Sequence, residues 1–160
     1  MNAKRILFVC TGNTCRSIMA QGLMEWLLRR AGVESVNVAS AGVFAISGVS
    51  PTRETQGVLR EIGVECSAHR AQPVTEELVR DADLIFVMEP FQSDEVLRRF
   101  PEAKGKTHLL KPYGLRPDEL FGHSNIPDPI GKPLEVYEVC FSEIREAVER
   151  IAKSLGVPSA

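Results

Sequence analysis

The sequence contains no apolar run long enough to cross a membrane, little net charge and few cysteines. The first apolar stretch covers residues 6–10 and is too short for a secretory signal. With 19 basic and 21 acidic residues the net charge is −2, so the chain lacks the basic excess typical of nucleic-acid-binding proteins. We therefore expect a cytoplasmic location, with neither a membrane nor a nucleic acid as partner.

Cysteine occurs at only four positions, which are Cys10, Cys15, Cys66 and Cys140. So few cysteines in a chain of 160 residues argue against a disulfide-rich scaffold, and they lack the paired close spacings of a zinc site. We expect Cys66 and Cys140 to be small buried hydrophobic residues. The sequence predicts neither a metal nor a cofactor.

Apolar residues make up 44% of the chain, enough for a sizeable core, and we expect one domain over residues 1–160. Short apolar or β-branched runs alternate with segments of helical periodicity. The predicted strands are 6–9, 36–39, 84–88 and 106–110, and the predicted helices are 17–30, 51–62, 75–82, 92–100 and 134–155. Ser17, Ser50 and Thr75 are expected to cap the first three helices. This alternation predicts an α/β fold with a doubly wound parallel sheet.

Residues 6–17 carry the most informative pattern in the chain. An apolar strand ends at Cys10, a turn with Gly12 and Asn13 follows, and Arg16 comes six positions after the cysteine, where a helix begins. In such a loop the backbone N–H groups converge beside a helix N-terminus and bind tetrahedral oxyanions. A helix N-terminus and nearby cations also stabilise a thiolate, so we expect Cys10 to be a nucleophile facing a bound phosphate.

Several motifs together resemble the low-molecular-weight protein tyrosine phosphatase family. They are Cys-x5-Arg-Ser after the first strand, Ser-Ala-Gly at 40–42, His69, and a late Asp-Pro pair at 128–129. The resemblance covers nearly the whole chain. It implies a four-stranded parallel sheet in the order 2-1-3-4 with helices on both faces, a three-layer sandwich. It also implies hydrolysis of a phosphorylated protein through a phosphocysteine intermediate.

Three residues are predicted to perform the catalysis. Cys10 attacks the phosphorus atom, while Arg16 offers its guanidinium fork to two phosphate oxygens and, with the loop amides, makes a metal unnecessary. Asp128 lies on a proline-rich loop, where a carboxylic acid held in an apolar pocket can protonate the leaving group and later activate water. A turn-forming role is the alternative for Asp128, and Asp118 is a weaker candidate for the acid.

The phosphate-binding loop is predicted to comprise Thr11, Gly12, Asn13, Thr14, Cys15, Arg16 and Ser17. Asn13 lies where a crowded loop requires a left-handed backbone. The family resemblance implies that Asn13, Ser40 and His69 form a hydrogen-bonded network that keeps the loop rigid, and that Ser17 stabilises the departing thiolate. A solvated surface histidine is the alternative for His69, and His108 and His123 have no assigned role.

Cys15 is five residues from Cys10, close enough for a disulfide if the geometry permits. The family resemblance implies a reversible redox lock that protects Cys10 from further oxidation. A passive packed thiol is the alternative.

Two positions bear on the substrate. Tyrosine phosphatases of the family usually carry an aliphatic residue where this chain has Thr14, and an aromatic pair where it has Ile130 and Gly131. A hydroxyl suits a polar guanidinium, whereas a phenyl ring gains from aromatic walls. The chain thus resembles the protein-arginine phosphatase branch, and we expect activity on phosphoarginine and/or phosphotyrosine in proteins. Phe44 and Ile130 are candidates for the walls of the cleft, with an aromatic ring tucked onto the domain as the alternative for Phe44.

Other functions remain as alternatives. One is a phosphatase restricted to phosphotyrosine. Another is a thiol-dependent arsenate reductase, which requires a close pair of resolving cysteines past the third strand, and residues 81–110 contain no cysteine. A non-catalytic anion-binding module would keep the loop but has no use for Cys10 or Asp128. We expect a monomer or a weak dimer.

Overall fold

A computed structural model describes residues 4–120, 122 and 124–158; His123 therefore lies outside the described residues. The elements are β1 (Lys4–Cys10), α1 (Arg16–Ala31), β2 (Val36–Gly42), α2 (Arg53–Arg60), α3 (Glu76–Asp81), β3 (Leu84–Val87), α4 (Pro90–Arg99), β4 (Thr107–Leu109) and α5 (Leu134–Ser154). Short 3-10 turns cover 101–103 and 117–119. Each predicted strand and helix is present, with ends that differ by at most three residues.

The four strands form one parallel sheet in the order β2-β1-β3-β4, which confirms the predicted topology. Leu7 of the central strand β1 pairs with Ala39 on one side and Ile85 on the other. Because all the strands run the same way, their carboxyl ends meet at one edge of the sheet, where loops are free to surround a ligand. Cys10, the last residue of β1, lies at this edge.

Helices cover both faces of the sheet, and β1 supplies side chains to both layers. Ile6 and Phe8 pack in the apolar cluster that contains α1 and α5, whereas Leu7 and Val9 pack in the cluster that contains α3 and α4. All four side chains are at most 2% exposed. A fully buried large apolar side chain contributes about 1.5–3 kcal/mol, so the strand that ends at Cys10 is anchored from both sides.

The helix caps match the predictions only in part. Thr75 caps α3 by accepting a hydrogen bond from the backbone N–H of Leu78, as predicted. At α2 the cap is Thr52 rather than Ser50, because the Thr52 hydroxyl accepts from the N–H of Thr55. At α1 the N-cap position is held by Cys15, whose side chain makes no capping hydrogen bond within the described part of the chain.

Strand β2 continues to Gly42, three residues beyond the predicted end, and this glycine presses against the loop after β1. A Cβ atom at position 42 would lie 2.5 Å from the carbonyl oxygen of Thr11 and 2.9 Å from the backbone nitrogen of Asn13. No side chain fits at these separations. Backbone hydrogen bonds from Val43 to the Cys10 carbonyl, at 3.0 Å, and from Phe44 to the Thr11 carbonyl, at 2.9 Å, fasten the two segments together.

No helix in the described ranges is long and apolar enough to span a bilayer.

Candidate active site

The thiol of Cys10 lies inside the loop between β1 and α1. Its Sγ atom is 3.3 Å from the backbone nitrogen of Asn13 and 3.0 Å from Oγ of Ser17, and the residue is only 2% exposed. Asn13 has the predicted left-handed backbone, with φ of 55°. This conformation turns the Asn13 N–H inward, so that both donors converge on one sulfur atom. Ser17 lies inside α1 and uses its hydroxyl here, so it does not cap the helix as predicted.

Asn13 is fully buried and connects the loop to three other segments. Its side-chain amide donates to Oγ of Ser17 at 2.7 Å and to Oγ of Ser40 at 3.0 Å. Its Oδ1 atom accepts from the backbone N–H of Gln72 at 3.0 Å and lies 3.1 Å from Nε2 of His69. Asn13, Ser40 and His69 are therefore joined in a hydrogen-bonded network, and His69 is half-buried rather than a free surface residue. Burial, and to a lesser extent the charge of Arg70, lower the pKa of His69 below 6.5.

Arg16 is 2% exposed and is held mainly through one of its terminal nitrogens. Its Nη1 atom donates to the carboxylate of Glu89 and, at 2.7 Å, to the carbonyl oxygen of Ile126. The Nη2 atom lies 3.4 Å from Oγ1 of Thr11 and 3.6 Å from a carboxylate oxygen of Asp128. Both terminal nitrogens of Arg16 were expected to face phosphate, but their contacts differ. Nη1 binds protein groups that fix the side chain, and Nη2 points toward the site.

Asp128 reaches the site because its loop is tied to the end of β3. The backbone N–H of Ile126 donates to the carbonyl of Met88 at 3.0 Å, while the Ile126 carbonyl accepts from Arg16. The side chain of Asp128 is 40% exposed, and its Oδ1 atom accepts from the N–H of Ile130 at 3.1 Å. The close polar partners of this carboxyl are thus a guanidinium and a backbone amide.

A cavity of about 230 Å³ opens over the thiol. It is lined by Cys10, Thr11, Gly12, Thr14, Cys15, Arg16, Asp128 and Ile130. Ile130 is therefore placed as predicted. Phe44 does not line this cavity: its ring is 56% exposed and lies 5.3 Å from the guanidinium of Arg99, which holds it outside the loop.

Thr11 and Gln92 form a contact that the sequence did not predict. Gln92 of α4 is completely buried, and its Nε2 atom donates to Oγ1 of Thr11 at 3.0 Å. Glu89, which binds Arg16, is the other contact residue that the sequence analysis missed. Glu89 and Gln92 both belong to the segment that follows β3 at the carboxyl edge of the sheet. The available signal was the polar pair of Glu89 and Gln92 directly after a fully apolar strand.

The other cysteines and candidate residues lie as follows. Cys15 is buried, with Sγ 3.6 Å from the hydroxyl of Tyr137 and 3.7 Å from that of Thr52. Cys140 is buried as predicted, and burial raises the pKa of its thiol to about 12. Cys66 is only half-buried, against prediction, and its pKa is raised to about 11 mainly by desolvation.

His108, which has no assigned role, and Asp118, the weaker candidate for the acid, lie away from the cavity. The ring of His108 packs 4.8 Å from that of Tyr113, and partial burial lowers its pKa. Asp118 is exposed and pairs with Arg116 at 3.4 Å. Neither residue lines the cavity over Cys10.

At one edge of the sheet a buried thiol, a fixed arginine and a carboxylate thus line the same cavity. This arrangement is typical of a cysteine-dependent phosphatase. Comparison with known sequences agrees with this class. Residues 5–158 match the family model described as low molecular weight phosphotyrosine protein phosphatase, and the chain belongs to that family.

Relatives within the family have different stated substrates. The chain is 40% identical over 151 residues to a protein-arginine-phosphatase of Geobacillus stearothermophilus, covering 94% of this chain and 95% of the relative. It is 38% identical over 146 residues to a probable low molecular weight protein-tyrosine-phosphatase, EpsP, of Ralstonia nicotianae, covering 91% and 92%. Among solved structures, a YwlE arginine phosphatase mutant with a phosphorylated active-site serine has a TM-score of 0.85 at 35% identity, with 95% of each chain covered.

Proposed function

We propose that this chain removes phosphoryl groups from proteins through a phosphocysteine on Cys10, and that it prefers phosphoarginine to phosphotyrosine. The observation that carries the first part is the convergence of Cys10, Arg16 and Asp128 on one cavity. The sulfur receives two hydrogen-bond donors, the Nη2 side of Arg16 faces the same space, and the carboxylate lies 3.6 Å from that nitrogen.

The reaction has two steps. The Cys10 thiolate attacks phosphorus while the bond from phosphorus to the leaving nitrogen or oxygen breaks, and Asp128 gives its proton to that leaving atom. Loop amides and Arg16 stabilise the charge on the equatorial oxygens. In the second step the Asp128 carboxylate takes a proton from water, the water oxygen bonds to phosphorus, and the S–P bond breaks. Inorganic phosphate leaves, and the thiolate accepts hydrogen bonds from Asn13 and Ser17 again.

The preference for phosphoarginine rests on Thr14. Thr14 lines the cavity, and within the described part of the chain its hydroxyl makes only a weak side-chain contact, 3.7 Å from the sulfur of Cys15. The hydroxyl oxygen can therefore accept a hydrogen bond from a guanidinium N–H group, or it can orient the attacking water. Ile130 also lines the cavity, and its aliphatic side chain gives a phenyl ring no aromatic partner. The 40% identity to a protein-arginine-phosphatase supports the same preference.

A comparison of kcat/KM on matched phosphoarginine, phosphotyrosine and phosphoserine peptides tests the substrate. Wild type is expected to favour phosphoarginine, and Thr14→Ile should lower the phosphoarginine to phosphotyrosine ratio about two- to tenfold, the value of one neutral hydrogen bond. Thr14→Ser is the matched control, because it keeps the hydroxyl and should keep the ratio. A ratio that Thr14→Ile leaves unchanged or raises would remove Thr14 as the selector.

Cys10→Ser tests the chemical step. A serine hydroxyl is a weaker nucleophile than a thiolate, and a serine oxygen leaves phosphorus less readily than sulfur does. Turnover should therefore vanish, while the fold and the binding of inorganic phosphate should remain. Residual turnover at a tenth of the wild-type rate or more would reject the phosphocysteine mechanism.

A further inference from the structure

The hydroxyl of Thr11 receives hydrogen bonds from two side-chain donors, Gln92 and Arg16. Nε2 of Gln92 donates to Oγ1 at 3.0 Å, and Nη2 of Arg16 points at the same oxygen from 3.4 Å. A threonine hydroxyl has two acceptor lone pairs and one proton. With both lone pairs engaged, only the proton remains to make a further contact. Among the residues that the structure describes, none accepts this proton, and Thr11 lines the cavity over Cys10.

The direction of the hydrogen bond between Gln92 and Thr11 is fixed by the backbone. Oε1 of Gln92 accepts from the N–H of Met88 at 2.8 Å and from the N–H of Glu89 at 3.0 Å. Both partners are donors, so the oxygen of the amide must face them, and the NH₂ group must face Thr11. Gln92 has no exposed surface, and a rotated amide would leave buried donors without acceptors. Gln92 can therefore only donate to Thr11.

We infer that Gln92 is a positioning residue that makes the Thr11 hydroxyl a dedicated hydrogen-bond donor to a phosphoryl oxygen of the substrate. This inference rests on the proposed function, and it assigns the two threonines of the loop different tasks. Thr11, with its lone pairs engaged, can only donate, and so it suits the phosphoryl group that every substrate shares. Thr14, whose oxygen has one weak contact among the described side chains, with the sulfur of Cys15, can accept from the leaving group and so discriminate between substrates.

Inorganic phosphate is a probe that requires no turnover, and its dissociation constant can be measured by calorimetry. Thr11→Val removes the hydroxyl at nearly constant volume and should weaken phosphate binding on the order of tenfold, as expected for a donor to a charged group. Thr11→Ser keeps the hydroxyl and should stay within about twofold of wild type. Equal losses in the two variants would overturn the role of the hydroxyl.

Gln92→Glu tests the positioning. The variant keeps an oxygen for the N–H groups of Met88 and Glu89 but places an acceptor opposite Thr11, whose proton then turns away from the cavity. The added charge also repels phosphate, and the double variant with Thr11→Val isolates that part. Gln92→Glu should weaken phosphate binding at least about fivefold more in the wild-type background than in the Thr11→Val background. An identical factor in both backgrounds would overturn the inference.

Measurements of kcat/KM on the two peptides distinguish a failure of this inference from a failure of the proposed function. In Thr11→Val, kcat/KM should fall by a similar factor for phosphoarginine and phosphotyrosine peptides, because the lost contact is to the shared phosphoryl group. A selective loss for one peptide would contradict the division of tasks between Thr11 and Thr14. Wild-type protein that binds phosphate but turns over neither peptide would reject the proposed function, while the phosphate measurements would still decide the inference.

Discussion

The guanidinium of Arg16 and the carboxylate of Glu89 are hydrogen-bonded to each other beside the phosphate loop. The arginine side chain is 2% exposed and the glutamate side chain 24%, so the pair is only partly hydrated. The same nitrogen of Arg16 also donates to the carbonyl of Ile126, on the segment that leads to Asp128. Protein contacts alone therefore fix the orientation of Arg16. In the reaction proposed above, this would lower the reorganisation needed at the transition state.

Removal of this carboxylate should affect both stability and catalysis. We expect Glu89→Ala to lower the free energy of unfolding by about 1–3 kcal/mol, since a buried arginine loses the nearer of its two carboxylate partners. We expect kcat/KM to fall roughly tenfold or more, because Nη1 keeps only the Ile126 carbonyl. Glu89→Gln, which retains an oxygen acceptor, should recover most of the rate. Urea titration and steady-state kinetics measure these effects, and a full-rate Glu89→Ala would show that Ile126 alone suffices.

Asp128→Asn tests the acid. The amide keeps the size of the side chain but cannot give a proton, so the rate should fall roughly 10²- to 10⁴-fold for leaving groups that must be protonated. For leaving groups that depart unprotonated the loss should be much smaller. A series of aryl phosphates of graded leaving-group acidity provides the measurement. Equal losses across that series would remove Asp128 from the acid role.

Peroxide sensitivity tests Cys15. Peroxide converts the Cys10 thiol to a sulfenic acid, and attack by the Cys15 sulfur then releases water and forms a disulfide. Wild type should therefore regain activity on addition of thiol, whereas Cys15→Ala should lose activity irreversibly as Cys10 is oxidised further. Cys66→Ala is the control, because Cys66 is half-buried in another segment and does not line the active-site cavity. Equal recovery of wild type and Cys15→Ala would make Cys15 a passive thiol.

The pKa of His69 predicts a pH dependence of stability. Its folded-state pKa is lowered below 6.5 by burial and by Arg70, so the unfolded chain takes up a proton first as the pH falls. The contribution of neutral His69 to stability is complete above about pH 6.5 and is lost below it. Wild type should lose more free energy of unfolding between about pH 7.5 and about pH 5.5 than His69→Gln, whose amide can still donate to Asn13. Equal losses, measured by urea titration, would contradict this assignment.

Patterns local in sequence predicted most of the fold. The apolar run before Cys10 and the helical periodicity after Ser17 give a strand, a loop and a helix in that order, because residues close in the chain determine these elements. The family resemblance supplied the strand order and the contacts of Asn13 with Ser40 and His69. Both are confirmed by the structure.

Contacts between distant segments could not be predicted in the same way. Glu89 and Gln92 meet the loop only because β3 lies beside β1, and neither residue stands in a recognisable motif. The predicted cap of α1 by Ser17 was wrong, because the Ser17 hydroxyl contacts the sulfur of Cys10 instead of a backbone N–H at the start of the helix. Phe44 was expected near the substrate because it follows a strand, but the guanidinium of Arg99 offers its ring a partner outside the cavity.

Gly42 has a consequence for how this site tolerates genetic variation. A Cβ atom on residue 42 would collide with the carbonyl oxygen of Thr11 and the backbone nitrogen of Asn13. Any replacement would therefore shift the backbone of Thr11 and Asn13 relative to Cys10, although residue 42 itself need not touch the substrate. In a library that samples every amino acid at each position, position 42 should resemble a nucleophile in its intolerance. A close contact with the backbone, rather than the chemistry of a side chain, thus restricts which substitutions the end of β2 can accept.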